Sequence, residues 1–379
     1  MNALEQPVNR KLGALKPLQT EWPLLLAIAT GALFLLGGTA IANLLMRPPW
    51  LILSFGWLFL TILFGSKAVV RHAEDLAHEL GEPYGTLVLT LSITTIEVAS
   101  ISAVMLHGAN NPTLPRDTIF AILMIILNGM VGLSLLFGGW VHKEQHYNLQ
   151  GANVYLGVIV PLAVLSLILP DFTRTTPGPT LSGMQQAFLI IIALGLYGAF
   201  LAIQTGRHRA YFSAEISQSE GLEVAAAKPP SIYRSTALLV AYLVLIIYLA
   251  ELLATPIDYF TETLHLPDAL GAVIIAALVA TPEALSAIRA ALANHLQRAM
   301  NIFLGSVLAT ISLTIPAMLI VGHFSGRHFV LGLEHTDIVM LLLTLFSCGI
   351  TFGSGRTNVL QGAVHLLLFA VYVLLIFQD

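Results

Sequence analysis

The chain has 379 residues, of which 56% are hydrophobic and only 10% charged, and its mean hydropathy is +0.83. A soluble domain carries roughly 25% charged residues, so this composition excludes a water-soluble globular protein and leaves no room for a separate catalytic domain. The formal net charge of −4 says little by itself, and the single cysteine, Cys348, excludes an intrachain disulfide or a multi-cysteine metal cluster.

Residues 1–22 are polar for about a helix length, too polar for a cleavable signal peptide, and read as a cytoplasmic N-terminal segment. From there, apolar runs near the roughly 20 residues a bilayer requires predict eleven transmembrane helices in an all-α polytopic membrane protein. They fall at 23–46, 50–70, 83–106, 117–139, 152–170, 184–206, 233–254, 267–290, 298–321, 335–352 and 357–377. With the N-terminus in the cytoplasm, 13 of the 17 lysines and arginines fall at inner connections or span ends. Only Arg47, Arg116, Arg174 and Arg327 fall outside, the asymmetry expected of a correctly threaded chain.

The polar connection 207–232, with Glu215, Glu220 and Glu223, divides the chain into a first span (23–46), a five-span repeat (50–206) and a second five-span repeat (233–379). Five is odd, so the second repeat enters the membrane with the opposite orientation, an inverted repeat. The N-terminal face of the protein and the connection then share the cytoplasm.

Within the third span, Glu97 stands in TLVLTLSITTIEVASISAVML (86–106), and within the eighth, Glu283 stands in GAVIIAALVATPEALSAIRAAL (271–292). Both sit in T-x-E-x-x-S, a few residues past the middle of their spans, which at 1.5 Å per residue is roughly 4–7 Å from the midplane. A carboxylate in hydrocarbon costs roughly 2.5–3.5 kcal/mol on insertion scales. No lysine or arginine shares the apolar stretch of Glu97, and Arg289 lies six residues beyond Glu283 on another helix face. Such carboxylates must carry a proton or hold an exogenous cation, the requirement for exchanging one for the other.

Hard cations need several oxygen ligands. Ser100 and Ser286 at i+3, and Thr94 at i−3, share the glutamate faces. Thr95 and Thr281 at i−2 contribute only if the helix unwinds, and Pro282 permits that in the second repeat. Each following span carries a further polar patch: Asn128 in the first half, and Asn301, Gly305, Ser306 and Thr310 in the second. Asn128 can be aligned with Asn301 or, as Asn128-Gly129, with Gly305-Ser306. Asn128 and Ser306 are candidates for lining the pathway; the alternative for Asn128 is an interhelical hydrogen bond.

The segment RHAEDLAHELGEPYG (71–85) leading into the Glu97 span, and ATPEALSAIRAALANHLQRAMNIFLGSVLATISLTIPAML (280–319), resemble the two repeats of cation/proton exchangers in the calcium/cation antiporter superfamily. The likeness is greatest to bacterial calcium/proton antiporters of the ChaA type, which also exchange sodium and potassium for protons. The resemblance implies that Glu97 and Glu283 are the carboxylates shared between cation and proton, and that the metal held there is transported cargo. Many calcium/proton exchangers place G-N-x-x-E at each glutamate, whereas this chain has Ile93-Thr94 and Val279-Ala280. With both amides missing, the expectation is Ca²⁺ transport accompanied by Na⁺ or K⁺ transport.

Two other functional classes fit the sequence less well. An intramembrane enzyme using the glutamate pair as acid and base would need a recognisable motif, and no H-E-x-x-H, G-x-S-x-G or aspartate-rich phosphate site is present. A passive cation channel is usually built on a symmetric oligomeric pore, whereas a repeat inside one chain favours alternating access. The expected partners are the lipid bilayer and inorganic cations. No resident cofactor and no nucleic acid is implied.

Overall fold

The computed structural model describes residues 20–45, 47–81, 84–106, 111–212, 231–327 and 329–378. Most of the 207–232 connection lies outside the described residues. Eleven long helices account for nearly all the rest. They are α1 (Trp22–Leu45), α2 (Pro48–Leu80), α3 (Tyr84–Leu106), α4 (Leu114–His142), α5 (Leu149–Phe172), α6 (Gly183–Arg207), α7 (Ile232–Asp258), α8 (Asp268–Leu292), α9 (Leu296–Ser325), α10 (His335–Thr351) and α11 (Val359–Ile376). Ten are long and apolar enough to cross a membrane; α10, with 17 residues, is shorter.

The helix that holds the predicted second span, 50–70, is longer than the span. Helix α2 runs on through the charged stretch 71–80 for 33 residues in all, roughly 50 Å at 1.5 Å per residue. That stretch alternates buried His72, Ala73 and Leu76 with exposed Glu74, so it is amphipathic where the preceding part of the helix is mostly apolar. The helix stops at Gly81, whose φ of 66° only glycine adopts without strain. Gly85 then lies against the Ala77 carbonyl, with no space for a Cβ, which makes the α2–α3 turn tight.

The helices pack as two clusters. One gathers α2, α3 and α7 with part of α8; the other gathers α4, α5, α6, α9, α10 and α11 with the rest of α8. Helix α4 is the most enclosed, with Ile119 through Leu127 almost all at 3% exposure or less. It meets α11 backbone to backbone through Gly132, Gly139 and Gly362, the small-residue packing that lipid-embedded helices favour. A short antiparallel ribbon, β1 (Glu144–His146) on β2 (Arg356–Asn358), ties the α4–α5 connection to the α10–α11 connection. Leucines and phenylalanines such as Leu36, Phe188 and Phe346 project outward, as a lipid-facing surface requires.

Several helices carry π turns, and two of these turns lie in the spans that follow the glutamate helices. Helix α4 widens into a π turn at Ile125–Met130, and α9 at Thr310–Thr314. Helix α8, by contrast, continues through Pro282. The unwinding that Pro282 would have permitted is absent, because losing one N–H leaves the neighbouring turns intact while flanking helices hold the rod straight.

Candidate functional site

The boundary between the two clusters is where the glutamates meet. Glu97 on α3 is 2% exposed and Glu283 on α8 is 7% exposed. Both are held by one face of α9. The Ser306 hydroxyl donates to Glu283 Oε2 at 2.5 Å, and the Thr310 hydroxyl donates to Glu97 Oε2 at 3.1 Å. Ser306 and Thr310 are four residues apart, so their hydroxyls project from one helix face about 6 Å apart along the axis. The two carboxylates are therefore neighbours, roughly one helical turn from each other. Among the described residues neither glutamate enters an ion pair.

Both glutamates line a cavity of about 250 Å³ that also takes in Thr94, Ser286, Gly305 and Ser306. It runs along α3, α6 and α9 to a mouth at Glu74, Gln204, Arg298 and Asn301. These residues lie near the C-terminal ends of α2 and α6 and the N-terminal end of α9, so the cavity opens on the face that carries the α2–α3, α4–α5 and α8–α9 connections. Tyr155 from α5 receives a hydrogen bond from Gln204 at 3.3 Å and forms one wall. Asn301 closes the mouth on one side by donating to the Phe212 carbonyl at 2.6 Å, while Gln297 receives the Asn148 N–H at 2.6 Å.

The residues singled out in the sequence divide into two groups. Glu97, Glu283, Thr94, Ser286 and Ser306 share the cavity. The others do not. The Thr95 side chain is exposed and its hydroxyl bonds the Leu91 carbonyl one turn back. Thr281 does the same with Ala277. Both helices are unbroken at that point, so the i−2 positions keep their ideal direction away from the glutamate face. Ser100 turns toward α2, α7 and α8, in a pocket of about 10 Å³ with Ile62 and Leu278. Asn128 is fully buried but makes an interhelical network: it donates to the Thr344 hydroxyl at 2.8 Å and contacts His365 at 3.2 Å, which in turn contacts Thr351 at 2.9 Å.

Thr310 belongs with the site, although in the sequence it reads only as one member of a polar patch. The signal was its spacing of four from Ser306, which fixes both hydroxyls on one face. The matched π turns also bear on how the polar patches align. Each begins 27 or 28 residues beyond its glutamate, which sets Asn128 against the 310–314 turn and not against Asn301 or Gly305.

A model of the sodium/calcium exchanger protein family matches residues 50–206 and 234–378. A putative ionic transporter, y4hA, of Sinorhizobium fredii is 44% identical over 316 residues, covering 81% of this chain and 84% of that protein. The sodium-potassium/proton antiporter ChaA of Escherichia coli is 40% identical over 319 residues, covering 83% and 86%. Among solved structures, the Ca²⁺/H⁺ antiporter YfkE superposes with a TM-score of 0.70 at 20% identity, covering 95% of this chain and all of that one. The H⁺/Ca²⁺ exchanger CAX gives 0.66 at 14% identity, covering 94% and 88%; at these identities the likeness is one of fold. With most of its length matched in two segments and two relatives at 40% identity or above, the chain belongs to the sodium/calcium exchanger protein family, a family of transporters and not of enzymes.

Proposed function

We propose that this protein is a secondary active cation/proton antiporter of a bacterial inner membrane. It exports Ca²⁺, and Na⁺ or K⁺, in exchange for H⁺, with Glu97 and Glu283 shared between cation and proton. The observation that carries the reading is the glutamate pair itself: two buried carboxylates, one α9 turn apart, with hydroxyl partners and no cationic partner among the described residues, at the closed end of a cavity that opens on one face. The names of the relatives, a sodium-potassium/proton antiporter and Ca²⁺/H⁺ antiporters, support the same class.

The cycle is competition. With the N-terminus cytoplasmic, the orientation that the lysine and arginine distribution favours, the cavity faces the cytoplasm. A cation enters, sheds water against Thr94, Ser286 and Ser306, and binds the deprotonated pair. Helices α2 and α7, the first spans of the two repeats, then rock past the central helices and expose the site to the other side. Protons neutralise the carboxylates and release the cation. An empty, doubly charged site resists crossing because two like charges would lose their solvation together, and that resistance couples the two fluxes. The absence of amide side chains beside the glutamates favours monovalent ions alongside Ca²⁺.

Exchange driven by a pH gradient in proteoliposomes tests the reading. Glu97→Gln or Glu283→Gln, which keep the volume but cannot trade a proton for a cation, should abolish flux in protein that remains folded and inserted. Because protons and cations compete for the same carboxylates, wild-type exchange should rise from about pH 6 toward pH 9. Near-normal exchange by either variant, or activity that falls with rising pH, refutes it.

A further inference from the structure

Helix α3 presents three threonines, Thr86, Thr90 and Thr94, to the cavity at successive i, i+4 positions. They form a ladder with rungs about 6 Å apart, running from the mouth to one turn short of Glu97. Their burial deepens along it: Thr86 and Thr90 are half-buried and Thr94 is 7% exposed. Thr90 is bonded to Tyr197 across the cavity. The Thr94 hydroxyl has no hydrogen-bond partner in the protein and faces the cavity, so its oxygen is available to whatever passes.

The second repeat lacks this ladder. Glu97 and Glu283 are 186 positions apart, and the residues 186 beyond Thr86, Thr90 and Thr94 are Ala272, Ala276 and Ala280. All three are at most 1% exposed, on a helix that packs against the first half of α4. In an inverted repeat these alanines occupy the position that the threonines hold, but on the way to the opposite face.

We infer that the two access paths differ chemically: Thr86, Thr90 and Thr94 form a hydroxyl relay that takes over the hydration of a Na⁺, K⁺ or Ca²⁺ ion on the path from one face only, and the alanine-lined path to the other face offers no such ligands. This rests on the antiporter reading above and assigns the cation-handling asymmetry within it. Each hydroxyl supplies one oxygen in place of one lost water, so the ion is dehydrated in steps and not all at once at the carboxylates. From the other face the ion must be handed over by water alone.

The test uses the full-length protein in membrane vesicles of both orientations, with initial exchange rates measured against Na⁺ and Ca²⁺ concentration. Thr86→Val and Thr90→Val keep side-chain shape and remove the hydroxyl, and Thr94, which also meets the ion at the carboxylates, is left in place. Together they should raise the cation KM at the ladder's face by about tenfold, the scale of a lost hydrogen bond to a charged group, and leave the KM at the opposite face unchanged. The corresponding Thr→Ser variants should restore it. Conversely, Ala272→Ser with Ala276→Ser should lower the KM at the opposite face alone, and this arm stands even where the double valine variant does not insert. A KM change that is equal at both faces, or absent at both, overturns the relay. Glu97→Gln run in parallel separates the two ideas. Loss of exchange there with no one-sided threonine effect sinks only the relay, whereas intact exchange there sinks the antiporter reading beneath it.

Discussion

Adding one methyl group at Gly362 should separate stability from transport. A Cβ built there would lie 2.5 Å from the Leu136 nitrogen, 2.9 Å from the Gly132 oxygen and 3.0 Å from the Leu135 carbonyl carbon. All three are backbone atoms of α4, so no side chain can swing aside. Restoring ordinary contact near 3.4 Å moves α11 away by about 0.9 Å. Overpacking of this kind costs about 1–3 kcal/mol. Moving α11 also stretches the 3.2 Å contact between His365 and Asn128 beyond hydrogen-bond range, for about 1 kcal/mol more. The greater helix propensity of alanine returns about 1 kcal/mol, so packing wins and Gly362→Ala should lose about 1–3 kcal/mol net. Gly349→Ala on α10, where a Cβ meets nothing within 4 Å, should be neutral or slightly stabilising. Thermal aggregation of detergent-purified protein, followed by size exclusion, gives the ranking, and exchange per folded molecule should be unchanged in both because α3, α8 and α9 carry the carboxylates and their donors. A Gly362→Ala protein as stable as the Gly349→Ala protein would refute the backbone-tight crossing of α4 and α11.

Removing either α9 hydroxyl should weaken the site without destroying it: Ser306→Ala and Thr310→Val should each raise the cation KM by roughly tenfold, measured in proteoliposomes, and an unchanged KM would detach α9 from the glutamates. Just ahead of the first span, Glu21 receives Arg71 at 2.8 Å, Tyr242 at 3.0 Å and His72 at 3.2 Å. Burial there raises the Glu21 carboxyl, but the His72 and Tyr242 hydrogen bonds and the Arg71 charge outweigh it and hold it below its ordinary 4.5. A carboxylate depressed in the folded state stabilises above its unfolded value and loses that contribution as pH falls through the folded one. Glu21→Gln should therefore cost about 1 kcal/mol at neutral pH, discounted because Arg71 is 38% exposed, and the two proteins should converge in thermal stability well below pH 4.5. A stability difference that persists in acid would contradict the assignment.

The spans and the glutamate pair were legible because their signals are local: twenty apolar residues in a row, and one carboxylate among them. What escaped the sequence depends on distant partners. Asn128 among leucines and isoleucines announces that an amide must be satisfied, but its partners, Thr344 and His365, are 216 and 237 positions away. The length of α2 escaped for another reason, since hydropathy fades at residue 70 while the helix persists through an amphipathic continuation to Leu80. Proline misled in a third way. Pro282 lies inside an intact helix, whereas the π turns Val164–Ile168 and Thr310–Thr314 each end two residues before a proline, Pro170 and Pro316. A ring with no N–H to give leaves a carbonyl in the preceding turn free to shift its pairing, so the downstream I-P of α9 was the better clue to irregular backbone at the site.

The cost of the site argues for a transient occupant. Many buried hydroxyls elsewhere in the bundle satisfy themselves on their own helices, as Thr61 does on Trp57, Ser92 on Val88 and Thr118 on Leu114, while Ser66, Ser100 and Ser134 stand unpaired singly. Around Glu97 this habit fails. Among the described residues, Glu97 Oε1 and the Thr94 hydroxyl have no hydrogen-bond partner, and neither does Ser312 in the π turn at Thr310–Thr314. Each unpaired buried polar atom costs about 1–3 kcal/mol, so the group of three costs as much as a large part of a typical domain's net stability. A simple repair was open to every one of the hydroxyls, substitution by valine or alanine, and the helices would pack as well. Keeping them is intelligible where an ion or a proton occupies the space between them for part of each cycle. The same unpaired oxygens then make the bare site too costly to carry across, which is what an obligatory exchange requires.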